Sequence, residues 1–138
     1  MKYVIIGNST AAIGAVEAIR KNDKEGKIVI LSKENHHVYS RPLISYLLLG
    51  KTTEEKMKYR KDSFYTENKC ELKLNKTAER IDVENKQVIL DDGSYESYDK
   101  LLIATGSSPF VPPIRGLDKV KNKYTLPLLM MQRHWKAY

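Results

Sequence analysis

Three small residues near the N-terminus, Gly7, Ser9 and Ala12, stand at the spacing of a phosphate-binding turn. They lie in the run MKYVIIGNSTAAIGAVEAIR, between an apolar stretch and a helix-like one. A dinucleotide turn asks three things of its chain: a sharp bend, close approach of backbone to a diphosphate, and tight packing of a helix on a strand. Gly7 meets the first. Ser9 takes the second place with a small side chain whose hydroxyl can donate to a phosphate oxygen. Ala12 takes the third, where a methyl group still allows close packing. Amides at a helix start, with their partial positive charge, complete an anion cradle. Taken alone, the same pattern also suits a strand-turn-helix that binds nothing.

A second element of this chemistry is an acid after the following strand, which hydrogen-bonds ribose hydroxyls. The stretch KIVILSKEN offers Glu34 as the nearest acid, late in the run and after Ser32 and Lys33. Glu34 is favoured over Ser32 for this contact, with a solvated loop carboxylate as the alternative.

These residues need particular elements to hold them. Residues 3–6 form an apolar run that predicts a buried parallel strand. Residues 10–20 place Ile13, Val16, Ala18 and Ile19 at helical spacing, with Thr10 or Ser9 as cap. Residues 27–31 (KIVIL) predict a second buried strand, so strand, helix and strand make one right-handed βαβ unit. SRPLISYLLLG, residues 40–50, predicts a short helix with Pro42 in its first turn and Gly50 at its end. Residues 53–68 read as helical in one or two pieces, and residues 70–74 as a short strand. From 78 to 104, strand-like runs alternate with turns at Glu84-Asn85-Lys86 and Asp92-Gly93, which predicts a three-stranded antiparallel meander. Its last run, KLLIA, is apolar throughout and is expected to rejoin the parallel sheet.

Composition narrows the function classes. The chain has 138 residues, suited to one domain, and 41% are hydrophobic. Its formal charge of +7 comes from lysines scattered along the chain (Lys2, Lys21, Lys24, Lys27, Lys51, Lys56), which indicates a solvated surface and no nucleic-acid face. Cys70 is the only cysteine, which excludes an internal disulfide and a Cys-based metal site. The chain shows no leader pattern and no apolar run long enough to span a bilayer, so no membrane association and a cytoplasmic location are expected.

At DKLLIATGSSPFVPPIRG an independent motif appears: an apolar strand, then Ala104-Thr105-Gly106 and a proline-rich exit. Together with residues 7–12, VYSRPLISYLL (38–48) and residues 77–106, in that order, the chain resembles the FAD-binding part of the FAD-dependent pyridine nucleotide-disulfide oxidoreductase family. The likeness is to its NADH:rubredoxin or ferredoxin reductase, NADH oxidase and nitrite reductase branch, over residues 1–125. The resemblance implies a Rossmann-like α/β FAD-binding domain with a parallel sheet, a crossover helix and the meander. It implies that Gly7, Ser9, Thr10, Ala11 and Ala12 surround the FAD pyrophosphate. Glu34, with Lys33 beside it, meets the adenosine ribose, and the backbone of Ala78 lies at the adenine. Arg41 and Pro42 lie near the flavin end, and Ala104, Thr105 and Gly106 close over the pyrophosphate. Disulfide-using relatives carry a redox cysteine where this chain has Tyr39-Ser40-Arg41-Pro42. The expected route is therefore nicotinamide to flavin to an external acceptor such as rubredoxin, ferredoxin or oxygen, without a thiol relay.

The resemblance also implies an NAD(P)H domain, a segment completing the FAD domain and a C-terminal interface domain, none of which has a counterpart in the 138 residues. The expectation is a truncated reductase, inactive alone in the family reaction. Residues 126–138 depart from the family pattern. Reverse translation of residues 129–138, read one nucleotide earlier, permits Asp-Asp-Ala-Lys-Ala-Leu-Glu-Ser-Leu, an amphipathic helix, which points to a one-base frameshift near Pro127. A natively divergent tail is the alternative. Two rival functions stand beside the reductase fragment. A non-catalytic nucleotide-binding module would associate with itself through exposed apolar surface, and a basic nucleic-acid binder would show salt-sensitive binding.

Overall fold

The computed structural model describes residues 1–121. The expectation for residues 126–138 lies outside them. The chain divides into two units: Met1–Tyr39 with Lys58–Gly106, and Ser40–Met57 with the chain from Ser107 onward.

The first unit is built on a parallel sheet of four strands: β1 (Lys2–Ile6), β2 (Lys27–Ser32), β3 (Cys70–Leu74) and β7 (Lys100–Ile103), in the order β3-β2-β1-β7. Helix α1 (Thr10–Asn22) makes the crossover from β1 to β2. A separate antiparallel meander joins β4 (Ala78–Asp82), β5 (Gln87–Leu90) and β6 (Tyr95–Ser97), as expected. Its turns fall where the sequence placed them, with Lys86 and Gly93 both at positive φ.

The alternating geometry of strands explains why β1 and β2 read as unbroken apolar runs. Ile5, Ile28 and Ile30 point to one face and pack with Ala12, Ile13, Val16, Val38, Phe64, Tyr65 and Ala104. Val4, Ile6, Val29 and Leu31 point to the other and pack with Val88 and Leu90 of the meander. Each face therefore has its own core, one under α1 and one under the meander. A fully buried Ile or Val contributes roughly 1.5–3 kcal/mol to such a core. β7 rejoins the parallel sheet beside β1, as expected; it ends the sheet order, and Leu102 and Ile103 are exposed.

Residues 53–68 correct the helical reading. Only a 3-10 turn, Glu55–Met57, and α3 (Phe64–Glu67) are helical. Tyr39 and Lys58 pair as an antiparallel bridge, and the Tyr59 N–H donates to the Val38 carbonyl at 3.0 Å. That long-range pairing takes up backbone groups a continuous helix would use internally.

In the second unit, a 3-10 turn at Arg41–Leu43 leads into α2 (Ile44–Leu48). Pro42 sits at the start, and Gly50 follows with φ 68°. This agrees with the expected proline-started, glycine-ended helix.

Candidate functional site

The bend after β1 is set by one glycine. The Gly7 N–H donates to the Leu31 carbonyl at 2.8 Å, carrying the β1–β2 ladder to its last residue. Gly7 then turns with φ 112°, a conformation that side chains rarely tolerate. A Cβ at this position would meet the Ala104 carbonyl group, 2.7 Å from its carbon, and would lie 3.2 Å from the Thr105 nitrogen. The Ala104 N–H itself donates to the Ile6 carbonyl at 2.8 Å. So Gly7 permits close approach of two chain segments, and Ala104 and Thr105 stand at the bend.

This meeting point has a topological meaning. From β1 the chain goes to β2 and β3 on one side, and β7 lies on the other. Open α/β sheets bind ligands at the carboxyl ends of strands where the order reverses in this way. Gly7 follows the end of β1, and Ala104-Thr105-Gly106 follows the end of β7.

Helix α1 starts immediately beyond the bend. Ser9 is its N-cap, with extended backbone (φ −128°, ψ −168°), but its hydroxyl makes no capping bond. The cap expected from sequence is thus one of position only. At this end the Ile13 N–H donates to the Ser9 carbonyl at 3.1 Å. The N–H groups of Thr10, Ala11 and Ala12 fall in the first turn, where helix geometry supplies no partner. Thr10 and Ala11 are exposed, whereas Ala12 is fully buried among the strands. Ala12 thus does the packing work of a third glycine, with room for its methyl group. The run from Gly7 to Ala12 contains no acidic side chain. Amides, small side chains and a hydroxyl are the donor set a diphosphate requires, so these residues fit one.

The loop after β2 carries the next expected residues. Lys33 is exposed and Glu34 partly buried. The Tyr39 phenol donates to Glu34 Oε2 at 2.6 Å. Ser32 is buried, and its hydroxyl donates to the Glu34 carbonyl at 3.0 Å, so Ser32 braces the loop and Glu34 is the carboxylate it presents. The Lys76 N–H donates to the Ser32 carbonyl at 2.9 Å, bringing the chain beside β2 two residues before Ala78 opens β4. His37 of this loop is half-buried. Its ring nitrogens lie 3.1 and 3.2 Å from the carbonyl oxygens of Val38 and Lys61, and it packs edge-on to Tyr65.

The structure therefore brings together Gly7, Ser9, Thr10, Ala11 and Ala12 with Ala104 and Thr105, followed by Gly106 at φ 75°. Arg41 and Pro42 belong to the second unit, where they open its 3-10 turn. Sequence reasoning missed Asn8 and Tyr65, whose phenol donates to Asn8 Oδ1 at 2.7 Å. The only local signal was a polar amide inside the bend. Cys70 lies at the other end of the sheet. It opens β3 opposite Ile28, four residues before Ser32 along β2, or about 13 Å at the usual rise per residue. Burial pushes its thiol pKa up to about 11, which keeps it protonated and unreactive at neutral pH.

Comparison with known proteins gives consistent results. Residues 1–130 match a family model described as pyridine nucleotide-disulphide oxidoreductase. The epsilon subunit of NADH-dependent phenylglyoxylate dehydrogenase from Aromatoleum evansii is 39% identical over 119 residues, covering 86% of this chain and 28% of the relative. Rubredoxin-NAD(+) reductase from Pseudomonas putida is 38% identical over 109 residues, covering 78% of this chain and 28% of the relative. Among solved structures, the covalent putidaredoxin reductase–putidaredoxin complex superposes with a TM-score of 0.82 at 27% identity, over 96% of this chain and 34% of the matched one. The chain thus spans well under half the length of these relatives.

Proposed function

The chain belongs to the pyridine nucleotide-disulphide oxidoreductase family, and on that basis we propose that residues 1–125 form the FAD-binding part of an NAD(P)H-dependent flavoprotein reductase. The family is FAD-dependent and uses NAD(P)H. Bound FAD supplies a carrier that takes two electrons from a nicotinamide and passes them to an external acceptor. A redox carrier protein of the rubredoxin or ferredoxin kind is the proposed acceptor class, alongside oxygen.

Each residue then has a binding task. Gly7 gives the backbone its close approach. The amides of Thr10, Ala11 and Ala12, with the Ser9 hydroxyl, hold the diphosphate. Ala104, Thr105 and Gly106 bound it on the β7 side. Glu34 accepts from the ribose hydroxyls beside Lys33, and the Ala78 backbone lies at the adenine. Arg41 and Pro42 serve the flavin end. Cys70 takes no part: its protonated thiol opens β3 at the end of the sheet away from the bend.

The carrying observation is the closure of Thr105 on the Gly7 bend, at the point where strand order reverses and a helix begins. The test is titration of the chain with FAD, followed by flavin fluorescence and anisotropy. Quenching that ADP reverses is expected. Unchanged fluorescence and anisotropy throughout the titration would defeat the reading.

The exposed Leu102 and Ile103 on the end strand β7 favour a second reading, a self-associating nucleotide-binding module. Light scattering separates the two. A monomer that binds FAD excludes the second, and a concentration-dependent oligomer without flavin binding supports it.

A further inference from the structure

Asn8 occupies the middle of the bend, between Gly7 and Ser9, and its side chain is held from two sides. The Tyr65 phenol, in α3, donates to Asn8 Oδ1 at 2.7 Å. The same phenol accepts from the Val38 N–H at 3.3 Å. Asn8 Nδ2 donates to the His36 carbonyl at 3.4 Å. A backbone carbonyl can only accept, so the Asn8 amide has one orientation in this circuit, with its NH2 toward His36 and its oxygen toward Tyr65. The circuit begins and ends on the segment 33–38 that carries Lys33 and Glu34, and it passes through the bend on the way.

Tyr65 is well placed to anchor such a circuit. Its ring is buried and meets His37 and Phe64 edge-on, with centroids 4.9 and 5.5 Å away. Burial raises the pKa of the phenol, against the smaller opposing effect of its bonds to Asn8 and Val38, so it remains a donor. A buried hydroxyl with one acceptor and one donor leaves little rotational freedom.

We propose that Tyr65 is a positioning residue for the nucleotide: through Asn8 it sets the bend at residues 7–12 against the segment 33–38, so that one ADP group meets both. The inference rests on the FAD-binding reading above. Both side chains bond to groups within the protein. Asn8 faces Tyr65 and His36, and the Tyr65 ring lies in the core. Loss of the circuit therefore acts on the ADP half shared by FAD and free ADP.

The test uses the full 138-residue chain, with FAD affinity from fluorescence quenching and ADP affinity from competition. Tyr65→Phe removes one oxygen and keeps the packed ring. Its affinity is expected to fall roughly five- to tenfold for FAD and by the same factor for ADP. Asn8→Ala is expected to match it. The double variant is expected to be no weaker than the weaker single, because both substitutions open one circuit. Thermal unfolding is followed in parallel. A lowered Tm with both Kd values unchanged assigns Tyr65 a purely structural role and overturns the proposal. Losses that multiply in the double variant, or a loss confined to FAD, overturn it as well. Should Tyr65→Phe fail to fold, Asn8→Ala at its partly exposed position carries the same comparison. If the unsubstituted chain binds neither FAD nor ADP, the underlying reading falls and takes this one with it; binding that neither variant weakens removes the positioning role alone.

Discussion

Two regions of the first unit hold the chain together by different means. At the bend after β1, order comes from backbone: one positive φ, two ladder bonds and a close approach between Gly7 and Ala104. Along the face of the sheet under the meander, long charged side chains add to the apolar core already described. Glu96 of β6 is buried, and its carboxylate receives Lys2 Nζ at 2.8 Å and pairs with Lys73. Lys73 in turn meets Glu71 at 3.2 Å, and Lys27 meets Glu71 at 2.8 Å. β1, β2 and β3 thus each contribute a charge to one chain of ion pairs that ties the meander to the sheet. The contrast separates tasks. A ligand-binding bend needs its amides exposed, so side chains there must be small. A seam with no ligand can be closed with side chains.

Gly7→Ala is the largest test of the backbone region. The added Cβ meets the Ala104 carbonyl in a conformation that alanine already resists. A stability loss of roughly 2–4 kcal/mol is expected from strain and displaced backbone. FAD affinity is expected to fall at least a hundredfold (about 2.7 kcal/mol), because the diphosphate and β7 compete for the shifted bend. Urea unfolding and flavin titration measure the two. Wild-type affinity in this variant would show that the close approach is not what forms the site.

Glu96→Gln tests the seam. The substitution removes the anion between two ammonium groups and keeps the shape. Lys2 and Lys73 remain 26% and 31% exposed, so water and salt screen part of the loss. A cost of about 1–2 kcal/mol is expected, with FAD affinity unchanged. A parallel drop in affinity would mean that the seam and the bend are one cooperative element, which breaks the contrast.

The same division decides what could be read from the sequence. The βαβ unit, the Gly7 bend and the meander turns were legible because each depends on neighbours in the chain: an apolar run, a glycine at the bend, Asp92-Gly93 at a tight turn. Elements set by distant partners were not. Residues 53–68 carry a helix-compatible pattern, including the Lys58–Asp62 pair four residues apart, yet pairing of Lys58 with Tyr39 determines their path. Nothing near Glu96 in the chain marks its burial, because Lys2 and Lys73 lie 94 and 23 residues away. Tyr65 was hidden for the same reason, 57 residues from Asn8. KLLIA does rejoin the parallel sheet, beside β1, as its apolar run led one to expect, but the exposure of Leu102 and Ile103 depends on what lies beside β7.

Acid sharpens the comparison further. At the meander, Lys76 and Ser94 hold the Asp92 carboxyl well below the ordinary range, and hydrogen bonds from Asn85 lower that of Asp82. For Glu96, burial pushes the pKa up, but Lys2 and Lys73 more than offset it, and the net shift is downward. A carboxylate with a depressed folded-state pKa stabilises the fold above its unfolded value and loses that contribution as pH falls through the folded one. Stability is therefore expected to stay level for these groups from pH 7 to 5 and to decline below about pH 4. Urea midpoints across this range check the trend, and Glu96→Gln is expected to flatten it. An unchanged profile in that variant would remove Glu96 from the acid response.

Cys70→Ala probes a place that belongs to neither region. The thiol packs against the core under α1 and donates to the Asn68 carbonyl at 3.4 Å, at the end of the sheet away from the bend. Removing one sulfur from a half-buried site is expected to cost about 1 kcal/mol or less and to leave FAD affinity unchanged. The raised thiol pKa has its own sign. The unfolded chain ionises first as pH climbs past the ordinary thiol value, so the thiol's contribution to stability declines between about pH 9 and 11. Alkylation by iodoacetamide at pH 8 is accordingly expected to be much slower in the folded chain than in urea. Rapid alkylation of the folded chain, together with weakened flavin binding in Cys70→Ala, would place a reactive sulfur near the cofactor and reopen a thiol route for its electrons.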